Sequence, residues 1–145
     1  MKHFFSLIFI ALLFSCENDS TNRNPYLQEV SFSFELNLDL PLYTGLNNIG
    51  NPVYVGTSGV GTRGIFVMQV SPDQFFAFEA SCPNHAPNSC STMTINGQNV
   101  ECSCENFEYN LFNGQLLNRP DDDNRYYDLL FYNTRFNGSS VFVSN

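Results

Sequence analysis

An all-β fold, an antiparallel sandwich or barrel of short strands, is what this 145-residue sequence predicts. Three observations predict it. Val30, Phe32, Phe34, Leu36, Leu38 and Leu40 alternate with Ser31, Ser33, Glu35, Asn37 and Asp39, the period of a half-buried strand. Turn signals then recur every several residues, with Asn-Gly at 96–97, 113–114 and 137–138. No segment beyond the N-terminus shows convincing helical periodicity. The aromatic content of 15%, fifteen Phe and seven Tyr without a Trp, suits strands. The length allows one domain with its own core.

Residues 1–15 are an address. Lys2 and His3 give a polar start, and Phe4 to Phe14 is almost wholly apolar. That run is too short to span a bilayer and has the length of a signal h-region. It ends at Leu13-Phe14-Ser15-Cys16, which resembles a bacterial lipoprotein lipobox: aliphatic, any residue, small, cysteine. A buried N-terminal helix is disfavoured because the polar residues after Cys16 cannot continue a core helix. The resemblance implies that Cys16 carries acyl chains and that the chain is lipid-anchored in a bacterial cell envelope, on the periplasmic or surface side. Residues 16–25 read as a flexible tether ended by Pro25, and residues 26–145 as a single domain.

Within it, Val30 to Leu40 is a long strand ended by Pro41. Thr44 to Pro52 is a loop, and Val53 to Val55 a short strand. Gly56 to Gly64 is a glycine-rich passage. Ile65 to Val70 and Phe75 to Glu79 form a hairpin about Ser71-Pro72-Asp73-Gln74. Met93 to Ile95 pairs with Gln98 to Glu101 across Asn96-Gly97. Tyr109 to Phe112 pairs with Gln115 to Leu117 across Asn113-Gly114. Asp121, Asp122 and Asp123 form an acidic run that lacks the interleaved ligands and glycine of a calcium loop, so it reads as solvated. Tyr126 to Tyr132 is a strand, the chain turns at Asn137-Gly138, and Val141 to Val143 closes the sheet. The net charge of −8, with Lys2 as the only lysine, argues against nucleic acid and against an electrostatic grip on anionic lipid.

Four of the five cysteines, and the only histidine besides His3, fall in one cysteine-loop subdomain at about residues 80–120. The stretch runs Cys82-Pro83-Asn84-His85-Ala86-Pro87-Asn88-Ser89-Cys90, passes the 96–97 hairpin, and continues Cys102-Ser103-Cys104-Glu105-Asn106-Phe107-Glu108-Tyr109-Asn110-Leu111-Phe112-Asn113-Gly114. Export would oxidise these thiols, and four cysteines allow three pairings.

The same stretch resembles the Rieske [2Fe–2S] domain, whose pattern is Cys-x-His followed at a distance by Cys-x-x-His. The second segment is commonly Cys-Pro-Cys-His-Gly-Ser-x-Phe-Asp-Leu-x-Thr-Gly. Cys102 to Gly114 matches it in length without a gap. Cys102 and Cys104 fall on its cysteines, Tyr109 on the Phe, Asn110 on the Asp, and Leu111 and Gly114 on the Leu and Gly. Cys82 falls on the first cluster cysteine, and the seventeen residues between Asn84 and Cys102 fit the spacer. Pro120 could match a later proline loop, and the resemblance covers roughly residues 50–145. It implies a Rieske-like antiparallel sandwich or barrel with a small cluster-binding-type subdomain.

Departures from the pattern bear on function. Asn84 and Glu105 stand where the family has histidine ligands, Phe107 where it has a serine donor, and His85 is one residue late. With His3 removed, one histidine remains, and a cluster held by two thiolates and two imidazoles needs two. In the parent fold both cluster cysteines bind one iron, so the resemblance implies that Cys82 and Cys102 join directly. A second pair beside the cluster in respiratory members implies Cys90 with Cys104. Each bridge would contribute about 3 kcal/mol by the chain-entropy model.

The expected function is therefore that of a lipid-anchored, disulfide-braced binding or envelope structural module without a cofactor. Its protein partner is unknown, and Asn84, His85, Asn88, Glu105 and Asn106 form its exposed contact surface. The alternative is electron transfer by a [2Fe–2S] cluster with ligands Cys82, His85, Cys102 and either Cys104 or Glu105. A further alternative is zinc held by Cys82, His85, Cys102 and Cys104. No catalytic constellation is found: His85 and Glu105 could meet as an acid–base pair, but no nucleophile accompanies them.

Overall fold

The computed structural model describes residues 24–145; the signal-like segment, Cys16 and most of the tether lie outside the described residues. The elements are β1 (Ser33–Asn37), a 3-10 turn (Thr44–Asn47), β2 (Val53–Val55), β3 (Ile65–Ser71), β4 (Gln74–Glu79), β5 (Thr94–Asn96), β6 (Asn99–Cys102), β7 (Phe107–Asn110), β8 (Phe131–Phe136) and β9 (Ser140–Ser144). They form a curled six-stranded sheet in the order β1-β9-β8-β4-β3-β2 and a three-stranded sheet in the order β5-β6-β7. All pairings are antiparallel. Among the described residues no helix is long and apolar enough to cross a membrane.

The expected 30–40 strand is shorter than its pattern. The Asn37 side chain accepts the Asp39 N–H at 2.9 Å, and Leu40 N–H donates to Asn37 C=O at 3.1 Å. That local turn competes with the ladder and ends β1. The alternation still sorts burial, because Leu36 and Leu38 are buried while Leu40, past the turn, is half exposed. Phe32 packs edge-on against Tyr132 with ring centroids 4.9 Å apart.

The β3–β4 hairpin turns where Ser71 faces Gln74, and the β5–β6 hairpin turns at Gly97 and Gln98, one residue later than expected, because Asn96 still pairs with Asn99. The Asn113-Gly114 return is looser than expected. It closes over four residues rather than two: Gly114 N–H donates to Asn110 C=O, Asn110 N–H to Gln115 C=O and Leu117 N–H to Glu108 C=O, with one bridge, Tyr109 to Leu116. The expected 126–132 strand becomes regular only at Phe131. Before that its backbone partners are scattered: Tyr127 N–H donates to the Asn84 side chain, Leu129 N–H to Gly114, and Leu130 C=O accepts from Glu79.

Two cores result. One lies along the large sheet and includes Leu36, Leu46, Val55, Ile65, Val67, Ala77, Tyr132, Val141 and Val143. The other joins β3 and β4 to the small sheet through Phe66, Met68, Phe78, Val100, Tyr109 and Leu111, and contains Cys82 and Cys102. The cysteine loops thus stand on a packed base.

A fully buried acid fixes the glycine passage. Glu79, at the end of β4, accepts N–H bonds from Thr62 (2.6 Å), Arg63 (2.9 Å) and Ser81 (2.9 Å), and the Tyr132 hydroxyl (2.7 Å). Gly64 ends that passage with φ of +93°, and a Cβ there would lie 2.5 Å from the Val55 carbonyl oxygen. Only glycine suits both conditions.

Candidate functional site

Backbone pairing brings the two cysteine loops together. Cys82 follows β4 and is held by its N–H to Ser91 C=O at 2.8 Å, beside the Ser81–Thr92 bridge. Cys102 ends β6, and the turn after it closes through Asn106 N–H to Cys102 C=O at 2.8 Å. Asn106 takes φ of +59°, a conformation asparagine tolerates better than most residues. Cys82 and Cys102 are bonded as a disulfide, with Cα atoms 5.7 Å apart and no exposure. Cys90 and Cys104 form a second disulfide nearer the surface, Cα atoms 5.5 Å apart.

Asn88 organises the outer loop. Its side-chain oxygen accepts the Cys90 N–H at 2.9 Å, its N–H donates to Ser91 Oγ at 2.6 Å, and its carbonyl accepts from Arg63 at 2.8 Å. Ser103 Oγ–H donates across to Cys90 C=O at 3.2 Å.

Over the inner disulfide sit one imidazole and one carboxylate. Glu105 Oε2 lies 3.0 Å from Cys102 Sγ, 3.5 Å from Cys82 Sγ and 3.4 Å from His85 Nε2. His85 Nε2 is 3.7 Å from Cys102 Sγ. These four ligand atoms all lie within 4.8 Å of one another. His85 Nδ1 is 2.8 Å from the Ala86 carbonyl oxygen, which can only accept. Nδ1 therefore carries a hydrogen, and the ring turns Nε2 toward the sulfurs and the Glu105 carboxylate. The His85 side chain is 15% exposed and that of Glu105 32%, so they stand at the mouth of a buried pair.

Asn84 departs from the expected exposed surface. It is half-buried and pins two elements: its amide donates to Tyr109 Oη at 2.7 Å and Tyr127 C=O at 2.9 Å, and its oxygen accepts Tyr127 N–H at 2.8 Å. A short polar side chain beside the cysteines looks the same in sequence whether it faces water or the backbone. Tyr109 Oη lies 3.9 Å from Cys82 Sγ. Burial pushes the Tyr109 hydroxyl well above the usual phenol range, against the lowering effect of the Asn84 bond.

The remaining candidates fall as follows. Asn88, Glu105 and Asn106 are exposed, and His85 is half-buried. Cys104 is bonded to Cys90 and lies outside the converging donors, so Glu105 takes the fourth position that a cysteine was expected to fill in a zinc site. Phe107 packs edge-on to Tyr126, centroids 5.4 Å apart. Asp122 binds its own turn through Asn124 and Tyr126. Glu79 was not singled out by sequence reasoning, since it reads there as the polar end of a strand.

Scans find no matching protein-family profile and no similar curated protein. Solved structures do match. A structure of reduced oxygenase with oxidised ferredoxin of carbazole 1,9a-dioxygenase is 21% identical, covering 81% of this chain and 94% of that one, with a TM-score of 0.48. The ferredoxin of carbazole 1,9a-dioxygenase from Nocardioides aromaticivorans is 16% identical over 69% of this chain and 91% of its own, TM-score 0.45. A chain from another oxygenase–ferredoxin complex of that enzyme is 12% identical over 83% of this chain, TM-score 0.50, and this chain spans 30% of its length. At these identities the likeness is one of fold, and the fold is Rieske-like.

The usual cluster of that fold can be tested against these residues. It divides its ligands between two irons, thiolates on one and imidazoles on the other. The described residues offer a single imidazole, and the four donors surround one point. A set that converges on one point suits one ion, whereas a two-iron rhomb needs its ligand pairs apart. The residues do not fit the usual Cys2His2 cluster.

Proposed function

We propose that this chain is an exported lipoprotein of the cell envelope whose Rieske-like domain serves as a disulfide-braced docking module for a protein partner. In this reading residues 1–15 are the signal, Cys16 carries the lipid, residues 16–25 form the tether and residues 26–145 the domain. The observation that carries it is the composition of the inner site: two cysteines bonded to each other beneath one imidazole and one carboxylate. A partner would meet the rim of this tip, where His85, Asn88, Glu105 and Asn106 are within reach of solvent. The oxygenase–ferredoxin complex named above supports a protein as the partner, as a likeness of fold and no more.

The test is direct. Full-length protein, purified aerobically in detergent, should contain no free thiol at Cys82, Cys90, Cys102 or Cys104. Non-reducing peptide mapping should join the Cys82 peptide to the Cys102 peptide. Cys16→Ser should abolish acyl labelling. Iron and sulfide in equal amounts in a brown sample would replace this reading with electron transfer by a cluster of unusual ligation, and acyl labelling that persists in Cys16→Ser would remove the anchor.

A further inference from the structure

We propose that two-electron reduction of the Cys82–Cys102 disulfide turns the tip into a mononuclear zinc site with Cys82, His85, Cys102 and Glu105 as ligands. The inference rests on the paired-cysteine reading above and adds a redox-gated metal site to it.

The geometry carries it. Zinc binds thiolate, imidazole and carboxylate at about 2.0–2.3 Å in a tetrahedron, which places neighbouring ligand atoms about 3.3–3.8 Å apart. Here the Glu105–His85 separation is 3.4 Å, Glu105–Cys82 3.5 Å and His85–Cys102 3.7 Å. Glu105–Cys102, at 3.0 Å, is shorter than that range, and His85–Cys82 lies within 4.8 Å. Reduction breaks the S–S bond and frees the two sulfurs to move apart and bind the same ion.

The electrostatics point the same way. A disulfide has no hydrogen to give, a carboxylate accepts only, and His85, bound through Nδ1 to the Ala86 carbonyl, turns Nε2 inward. Four electron-rich atoms therefore face one point, and what suits that point is a cation or a proton on Nε2. The Nδ1–H bond to Ala86 C=O orients the ring as a ligating histidine is usually oriented from behind. The Asn84 amide donates to Tyr109 Oη, which leaves the Tyr109 hydrogen free to point at Cys82 Sγ and favour a thiolate there.

The step balances. A dithiol reductant gives two electrons and two protons, its own sulfurs joining as a disulfide, and Cys82 and Cys102 become thiols. Zinc then displaces both protons to solvent and binds the thiolates. Cys90 and Cys104 take no part.

Cobalt(II) is the probe, since its thiolate charge-transfer band reports the ligands. Full-length protein in detergent is treated anaerobically with a phosphine, which is oxidised to the phosphine oxide, and titrated with cobalt and then zinc. The oxidised protein should bind neither at this site. The reduced protein should bind one equivalent with a thiolate-to-cobalt band that zinc abolishes. Glu105→Gln and His85→Ala should each weaken binding at least tenfold, and a Cys90→Ser/Cys104→Ser double variant should bind as the parent does. Far-ultraviolet circular dichroism of the reduced protein checks that the fold persists. No binding on reduction, or binding indifferent to Glu105→Gln and His85→Ala as an unfolded chain chelating through thiols would show, overturns the proposal. Four thiols free before any reductant is added would instead defeat the underlying pairing.

Discussion

Glu79 gives the sharpest stability prediction. Its carboxylate receives four donors, and two of them, Ser81 N–H and Tyr132 O–H, are in bonds buried from water. The others, from Thr62 and Arg63, are partly buried. Glu79→Gln keeps the shape and removes one acceptor. If the new NH2 replaces Oε1 it faces two backbone N–H groups, Arg63 and Ser81. If it replaces Oε2 it faces Thr62 N–H and the Tyr132 hydroxyl, which can turn and accept. The second arrangement loses one bond and the first loses two. A hydrogen bond to a charged group contributes about 1.5–3 kcal/mol, so Glu79→Gln should cost about 2–3 kcal/mol. Tyr132→Phe removes one donor and leaves the carboxylate three partners, so it should cost about 1–2 kcal/mol. Glu79→Ala strands all four donors and should cost about 4 kcal/mol or more, near the limit a domain of this size survives. Urea unfolding at neutral pH measures the series. With m of about 1–3 kcal/mol/M, the Gln variant should move the midpoint down by about 1 M or more at unchanged m. A Glu79→Gln midpoint equal to that of the parent, or a Tyr132→Phe cost exceeding that of Glu79→Ala, would refute the accounting.

Four other outcomes are expected. Burial holds the Tyr109 and Tyr132 hydroxyls above their unfolded values, so the folded chain keeps protons that the unfolded chain releases near pH 10; stability should be flat below that pH and fall as it rises beyond, less steeply in Tyr132→Phe, as alkaline urea titrations would record. Mild reductant should open the outer Cys90–Cys104 bridge before the fully buried Cys82–Cys102 bridge, visible as two steps of thiol alkylation, each bridge supplying about 3 kcal/mol. Asn84→Ala should cost about 2–3 kcal/mol by leaving Tyr127 N–H and C=O without their partner, and faster amide exchange at Tyr127 would locate the loss. Gly114→Ala should cost about 1–3 kcal/mol, because φ is +76° and the added Cβ would stand 2.8 Å from the Phe78 ring, measured again by urea midpoint.

The legible parts of the fold were those written in local chemistry. Ser71-Pro72-Asp73-Gln74 specifies its turn by backbone preference, and the strands it joins pair as their apolar runs require, while the Asn96-Gly97 signal marks its hairpin one residue early, since β5 is exposed and no apolar face sets its register. The period-two run from Val30 named the right face but the wrong length, because the Asn37 side chain captures a backbone N–H that hydrophobic periodicity does not register. Asn84 and Glu79 were misread or missed for one reason: they hold backbone groups distant in sequence, and an N–H of Thr62 or Tyr127 carries no residue-type signal. At the cysteine loops, residue types exposed the shortage of histidines, while the approach of Glu105 to His85 and both sulfurs needed the folded loops.

The bond from the Asn24 amide to Pro83 C=O, 2.7 Å long, fixes where the N-terminal segment meets the domain: beside the loop that carries Cys82. An extended chain spans at most about 3.5 Å per residue, so the eight steps from Cys16 to Asn24 reach at most about 28 Å. A bilayer holding Cys16 would therefore keep the cysteine tip within roughly one small-domain diameter of its surface. A soluble partner would have to slip sideways into that gap, whereas one already embedded in the same bilayer would meet the tip by lateral diffusion. Lengthening the segment before Asn24 would relax this constraint without touching a residue of the site.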